Sequence, residues 1–302
     1  MNRPLAGFAI SGSLVLAACG RATGALSTAT PVSSLRPASS LTVTHPLPTQ
    51  DLVAAGLTRV ADLVTSFDIS ATDGGRAITL IAAYADPART VLVFRESPDM
   101  GVPSVEVNDD QGWINSSTSG GPVRGPGYSG DYYFALDDGP HSGADGLAHL
   151  RIGISGLSRW TPAGGHVDGH WDFTIALKVA PGLALAAPAQ FKVGAWTVKI
   201  ETLELTPSVV HLQAVVSGAA PDELSGPGVK YSFLDLLDAG GNPVKVVAAG
   251  AGVTVPKQQL NASNYRNSRI NYQWARPDAG SYRLRFQGGG GVFTLPLSIQ
   301  PT

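Results

Sequence analysis

The sequence predicts an all-β protein, two tandem β-sandwich domains that follow a disordered N-terminal tether. Three observations carry that expectation. Glycine (36) and proline (22) are spread along all 302 residues, the punctuation of many short strands and turns. Apolar residues recur with period two in stretch after stretch, the mark of half-buried strands. An Ala/Pro-rich segment, Ala180-Pro181-Gly182 through Pro188, divides those stretches into two sets, each long enough for its own core.

Before the strands comes a leader. Arg3 is the one charge ahead of an uncharged run from Pro4 to Gly20, made apolar by Leu5, Phe8, Ile10, Leu14, Val15 and Leu16. Gly7 and Gly12 interrupt it, and a spanning helix needs ~20 predominantly apolar residues, so the run fits a secretory h-region better. Leu16-Ala17-Ala18-Cys19 then resembles the lipobox of bacterial lipoproteins. The resemblance implies a signal peptide over residues 1–18, cleavage before Cys19, and acylation of that cysteine's sulfur and new amine. Cys19 is the only cysteine of the chain, so no disulfide supports the fold. Residues 19–50 are rich in Ser, Thr, Ala and Pro and read as a disordered tether, with the first carboxylate at Asp51.

The first domain is expected over 51–187. Val53, Leu57, Val60 and Val64 have helical spacing, which Gly56 weakens. Phe67, Ile69 and Ala71 then alternate with polar residues up to a hairpin turn at Asp73-Gly74-Gly75. Ala77 to Ala85 reads as a strand apolar on both faces, Asp86-Pro87-Ala88-Arg89 as a turn, and Thr90 to Phe94 as the next strand. Val105 to Val107 is a short strand, 115–130 a Ser/Gly/Pro loop, and Tyr132 to Leu136 a strand. Leu147, Leu150, Ile152 and Ile154 mark another, and Trp171, Phe173, Ile175 and Leu177 the last.

The second domain is expected over 188–302. Trp196, Val198 and Ile200 alternate, and the phase then slips so that Leu203 and Leu205 are apolar, which predicts a β-bulge between them. Thr206-Pro207-Ser208 turns into Val210, Leu212, Ala214 and Val216. Tyr231 to Leu237, Ile270 to Trp274, Tyr282 to Phe286 and Phe293 to Leu297 supply the remaining strands. The halves share an order of hairpin, Asp-Gly turn and further strands, so the chain reads as a diverged tandem repeat.

Asp278-Ala279-Gly280-Ser281-Tyr282 resembles the Asp-x-Gly-x-Tyr corner of immunoglobulin-like domains. The resemblance implies that the Tyr282 hydroxyl bonds back to the backbone, with Asp278 and Gly280 shaping the turn. Leu284 stands where antibody domains carry a cysteine. Three further stretches look like the extracytoplasmic β-domains of uncharacterised bacterial anti-sigma-factor-like membrane proteins. They are Tyr84-Ala85-Asp86 with Arg89-Thr90-Val91-Leu92, Gly169-His170-Trp171-Asp172-Phe173, and Leu203-Glu204-Leu205-Thr206-Pro207-Ser208. The cytoplasmic zinc-binding segment and transmembrane helix of that family have no counterpart here. Only its outer, sensing or binding half is therefore implied, and that half has no assigned catalytic residues.

The formal net charge of −2 gives no basic bulk that would draw nucleic acid. No phosphate loop, dinucleotide fingerprint or nucleophile elbow is present. His166, Asp168, His170 and Asp172 would share one strand face and carry zinc-type ligands, with Val167, Trp171 and Phe173 on the other. Alternate residues lie ~6.6 Å apart along a strand, too far to close on one ion, so a solvated face is the favoured reading. Asp109-Asp110 and Asp137, Asp138 and Asp145 lack calcium-loop spacing. The aromatic and arginine run from Tyr265 to Arg285 is expected to be core on one face and solvated on the other.

The sequence therefore points to an exported lipoprotein without cofactors, anchored by Cys19 to the extracytoplasmic face of a bacterial cell membrane. It would act as a non-enzymatic module that binds or senses a protein or polysaccharide. The alternatives are a structural spacer of the cell envelope and a metal-dependent enzyme using the His166–Asp172 face.

Overall fold

The computed structural model describes residues 47–97, 102–112, 114–115, 118–122, 131–158, 165–225, 233–253 and 266–300. The leader, Cys19 and nearly all of the tether lie outside them. The tether was expected to run to Gln50, but the fold begins earlier: Leu47 packs on the first sandwich and a short helix, α1 (Thr49–Ala54), follows. Gly56, at φ 67, ends it, and a 3-10 turn (Thr58–Leu63) completes the segment. The helical spacing is thus realised as two short pieces, broken where the glycine stands.

Among the described residues the first sandwich contains the strands β1 (Thr65–Asp73), β2 (Arg76–Asp86), β3 (Arg89–Ser97), β4 (Val102–Asp109), β5 (Ile114–Asn115), β6 (Thr118–Pro122), β7 (Asp131–Leu136), β8 (Leu147–Ser158), β9 (His166–Val167) and β10 (Trp171–Lys178). One sheet has the order β1-β2-β3-β7-β6, the other β10-β8-β4-β5 with β9 on β8. Their inner faces enclose Leu80, Phe94, Phe134, Ile152, Trp171 and Phe173. Gly74 and Gly75, both at positive φ, make the two-residue turn joining β1 to β2, as the Asp-Gly-Gly stretch predicts. The 115–130 loop needs correction: β6 lies within it and pairs with β7. Its Thr-Ser-Gly-Gly-Pro sequence has no alternation to read, and pairing with a neighbour creates the strand.

The second sandwich contains β11 (Leu183–Ala184), β12 (Gln190–Val193), β13 (Trp196–Leu205), β14 (Val209–Ser217), β15 (Leu234–Leu237), β16 (Val246–Val253), β17 (Asn267–Ala275), β18 (Gly280–Gly288) and β19 (Gly291–Ile299), with a one-turn helix α2 (Pro221–Ser225). Its sheets run β11-β13-β14-β17-β16, with β12 also on β13, and β15-β18-β19. Trp196, Leu212, Phe233, Trp274, Leu284 and Phe286 fill the space between them.

Both sandwiches are immunoglobulin-like. In that fold the strands A, B, E and D form one sheet and C, F and G the other. Assigning A to G in chain order from β13, the second sandwich reads A-B-E-D and C-F-G. Assigning them from β2, the first reads A-B-E-D and G-F-C, with β5 as an added C′ strand. Each A strand carries extra pairing on its outer edge, β1 in one case and β11 and β12 in the other. Each A·B hairpin also has one register shift. The additional residue is Ile81 in the first and Glu201 in the second, at the phase slip that predicts a bulge.

The Ala/Pro segment between the sandwiches is pinned along its length. The Ala180 N–H donates to the Ala85 carbonyl, Leu183 and Ala184 pair with β13, and the Leu185 N–H donates to the Leu203 carbonyl. Its composition suggests a free linker, but backbone amides of any side chain can be paired by a neighbouring sheet edge.

Candidate functional site

The expected candidates separate when placed in the fold. Val167 and Trp171 are buried and His166, Asp168, His170 and Asp172 exposed, but they do not share one strand face: His166 is in β9, Asp172 in β10, and residues 168–170 between them are in no strand. The four do not converge. His166 Nε2 lies 3.5 Å from Asp168 and His170 Nε2 lies 3.2 Å from Asp172, two separate pairs at the surface. The His166 ring packs on Gly156, where a Cβ would fall 2.6 Å from Nε2, and the backbone N–H of His170 donates to Asp73. Among the described residues no three His, Cys, Asp or Glu side chains are grouped to hold a metal.

The remaining acidic turns are likewise engaged locally. Asp109 accepts the N–H of Gln111 and of His141, and also faces the His141 ring at 3.0 Å. Asp145 accepts from the Leu147 N–H and meets His149 at 2.7 Å, and these bonds hold its carboxyl below the usual range. Asp138 caps Gly139.

The C-terminal arginines are dispersed too. Arg266 bonds the Gly218 carbonyl and Glu223, Arg269 pairs with Glu201, Arg276 holds the Thr206 carbonyl, and Arg285 pairs with Asp235. Tyr272 and Trp274 stack inside the core. The corner motif has its bond: the Tyr282 hydroxyl donates to the Asp278 carbonyl at 3.0 Å. Cys19 lies outside the described residues.

Among the described residues a buried polar cluster contains none of the expected site residues. It lies where the two A–B turns meet. In the first turn Asp86 accepts the N–H of Ala88 at 2.9 Å and of Arg89 at 3.0 Å, and the Tyr84 hydroxyl at 2.7 Å. In the second, Thr206 Oγ1 accepts the N–H of Ser208 and of Val209 at 3.3 and 3.1 Å, the same i+2 and i+3 pattern. Ser208 then donates its hydroxyl to Asp86, so the equivalent turns of the two domains are bonded to each other.

Around that bond the first sandwich supplies loops and the second the outer face of its A-B-E-D sheet. Gln273 Nε2 donates to the Ala88 carbonyl at 2.8 Å, and Asn271 Nδ2 to the Asp137 carbonyl at 3.0 Å. His211, 2% exposed, sits between Glu204 (Nδ1–Oε1 2.9 Å) and Asn271 (Nε2–Oδ1 3.1 Å). Gly139 backs so closely on the first turn that a Cβ there would fall 2.1 Å from the Asp86 carbonyl. Arg89 is buried and donates to the Ala55 carbonyl at 2.7 Å, which ties α1 into the same place. Arg59 reaches the corner residue Asp278 of the second sandwich at 2.7 Å.

The electrostatics follow from burial. Desolvation, reinforced by the Asp86 charge, pushes the Tyr84 phenol far above its ordinary range, which keeps it a donor. Burial also pulls the Arg89 guanidinium below its ordinary value, with Asp86 opposing. Burial raises the Asp137 carboxyl, with Arg89 and then His211 acting against it. Asp86, Arg89, Thr206, Ser208, His211 and Gln273 are all under a tenth exposed. Chemically the arrangement is a desolvated joint: bonds within each turn and strand pair shape it, and three side-chain bonds, from Ser208, Asn271 and Gln273, cross to the first sandwich.

Two of the three stretches that suggest the anti-sigma-factor-like β-domains, 84–92 and 203–208, are the two sides of this joint. The bond that pairs them spans 122 positions, from Asp86 to Ser208.

No family model matches the chain, and no curated protein matches it. Among solved structures it is similar to a conserved domain protein from Bacillus anthracis. That match has 11% identity, covers 79% of this chain and 92% of that one, and has a TM-score of 0.49. It is also similar to bovine butyrophilin (11% identity, 72% and 95% covered, TM-score 0.22) and to domains 5–6 of the S-layer protein SbsC (12% identity, 78% and 99% covered, TM-score 0.17).

Proposed function

We propose that this chain is an exported lipoprotein, held by acylated Cys19 at the extracytoplasmic face of a bacterial cell membrane. Its paired immunoglobulin-like sandwiches would bind or sense a protein or polysaccharide without catalysing a reaction. The observation that carries the anchoring is Leu16-Ala17-Ala18-Cys19 behind an uncharged leader and ahead of a Ser/Thr/Pro-rich tether. One acyl chain binds a bilayer marginally, while two or more hold it firmly, at ~0.8 kcal/mol per buried methylene. The non-catalytic part is supported by how the polar side chains are used. His141, His149, His166, His170 and His211 each face a carboxylate of their own, and a buried polar cluster joins the two domains.

The same joint favours a second reading, an envelope spacer, because two domains bonded through their turns present a fixed length. Fractionation tests the anchoring. Cys19→Ala is expected to move the protein from membranes to the soluble exported fraction, and retention at the wild-type level would overturn the anchor. Metal analysis of the purified protein tests the enzyme alternative: stoichiometric zinc lost with His166→Ala and His170→Ala would replace the reading with a metal site.

A further inference from the structure

We propose that His211 and Glu204 form a proton-dependent latch between the two sandwiches, closed while the pair holds its shared proton and loosened when that proton leaves. Asn271 Nδ2 faces the Asp137 carbonyl at 3.0 Å, and a carbonyl only accepts, so the amide nitrogen must be the end that points there. The Asn271 oxygen is then the end that faces His211 Nε2 at 3.1 Å, and that oxygen also only accepts. His211 must therefore carry its hydrogen on Nε2. Its other nitrogen lies 2.9 Å from Glu204 Oε1, and two lone pairs cannot meet at that distance in a buried site. A second hydrogen must sit between them. Imidazolium with carboxylate, or imidazole with carboxylic acid, gives the same total: one proton more than a neutral imidazole beside an ionised carboxylate.

The surrounding charge favours holding it. Glu204 faces His211 from the neighbouring strand β13, directly across the register. Asp137 faces it from the end of β7 across the joint, and behind Asp137 stand Arg89 and Asp86 of the first A–B turn. From β17 come Asn271 and Gln273, which are uncharged. With the proton present, His211 and Arg89 balance Glu204 and Asp86. Without it, Arg89 alone faces two carboxylates, and Asp137 adds a third when ionised. Burial already disfavours the ionised form of Asp137, so proton uptake there acts in the same direction.

The latch reaches the joint through one side chain. His211 orients Asn271, and Asn271 donates to the first sandwich. Loss of the shared proton puts a lone pair against the Glu204 carboxylate, the ring turns away, and Asn271 loses the partner that fixes it. The joint is therefore tight while the pair keeps its shared proton and looser once that proton has left.

The test uses the full chain kept in solution by Cys19→Ser, with nitroxide labels on Thr174→Cys and Thr294→Cys, one exposed site in each sandwich. Label distances and the His211 ring nitrogen shifts are followed across about pH 5 to 9, the span in which imidazoles change charge. The expected result is a narrow distance distribution that broadens as His211 deprotonates, with one midpoint for both signals. Glu204→Gln supplies the second hydrogen from its own amide, so its distribution should stay narrow throughout. A wild-type distribution unchanged while His211 titrates would overturn the latch. So would a Glu204→Gln protein that broadens at the wild-type midpoint. Thermal melts at each pH confirm that both proteins are folded where distances are read.

Discussion

The two sandwiches share a strand order, a bulge position and a turn chemistry, yet they use their outer A-B-E-D faces in opposite ways. The bulged residue shows it. In the first domain it is Ile81, buried beside Ala82 and Val93 beneath Leu47 and Val64. In the second it is Glu201, at the surface and paired with Arg269. The first sheet is apolar on both sides, and residues 47–64 cover its outer face through Ala55, Leu57 and Val60. The second carries Glu204, His211, Asn271 and Gln273 on the equivalent face and meets the first domain through hydrogen bonds. One architecture thus supports a dry cover in one copy and a polar joint in the other, because the outward positions of a strand vary without disturbing the inward ones.

The A–B turns give the sharpest way to break the comparison. Asp86→Ala removes the acceptor for Tyr84, Ala88, the Arg89 N–H and Ser208 and takes away the carboxylate that most favours the buried Arg89 charge. The expected loss is on the order of 3–5 kcal/mol. Thr206→Val at the equivalent position removes only neutral bonds, two of them at 3.3 Å, and should cost about 1 kcal/mol. Chemical denaturation of both variants reads the difference, and equal losses would mean that the turns are energetically alike.

The tryptophans come next. Trp171→Ala should cost ~3–5 kcal/mol by emptying the first core, while His166→Ala with His170→Ala on the opposite face should stay within about 0.5 kcal/mol. The indole nitrogens refine this. Trp171 Nε1 donates to the Arg76 carbonyl at 3.1 Å, whereas Trp274 Nε1 is buried with no hydrogen-bond partner among the described residues. Trp171→Phe is therefore expected to lower the melting temperature more than Trp274→Phe does.

A smaller effect separates the two F strands. The second opens with the tyrosine corner, and Tyr282→Phe should cost ~0.5–1.5 kcal/mol, toward the low end because water can reach the Asp278 end. The first has no corner tyrosine, and Asp145 and His149 tie its turn at the surface instead. An unchanged denaturation midpoint in Tyr282→Phe would place the two turns on the same footing.

The subtlest prediction concerns pH. The Asp137 carboxyl is raised by burial, so the folded protein takes up its proton at higher pH than the unfolded chain. That contribution to stability is complete below the unfolded carboxylate range and is lost as pH rises through the folded value. Asp137→Asn mimics the neutral form and keeps the backbone carbonyl that Asn271 uses. It should melt higher than wild type at neutral pH and converge with it under acid. A variant less stable at both would show that the Asp137 charge is needed by Arg89.

Much of the fold follows from period two alone. Phe173, Ile175 and Leu177 face inward because every second residue of a strand does, and Leu203 and Leu205 do so after a bulge that the phase slip reveals. Gly74-Gly75 marks its turn because only glycine readily takes both left-handed conformations. The exposure of His166 and His170 opposite Trp171 is legible in the same way. Strand β16 is not: Val-Val-Ala-Ala-Gly-Ala-Gly-Val has no alternation, and its place beside β17 comes from the sheet.

The joint belongs wholly to tertiary structure. Local sequence dictates that Asp86 and Thr206 each cap a turn, since a side-chain oxygen two or three residues upstream can take the free N–H groups. It does not dictate that Ser208 of one turn finds Asp86 of the other, or that Asn271 reaches the Asp137 carbonyl. The Ala180–Pro188 segment shows the same division. Its composition reads as a free linker, and only the neighbouring edge of β13 makes it a strand. Periodicity and turn chemistry are properties of adjacent residues and survive in one dimension. Pairings between distant residues depend on where two folded bodies come to rest, and that was decided by the outer faces of their sheets.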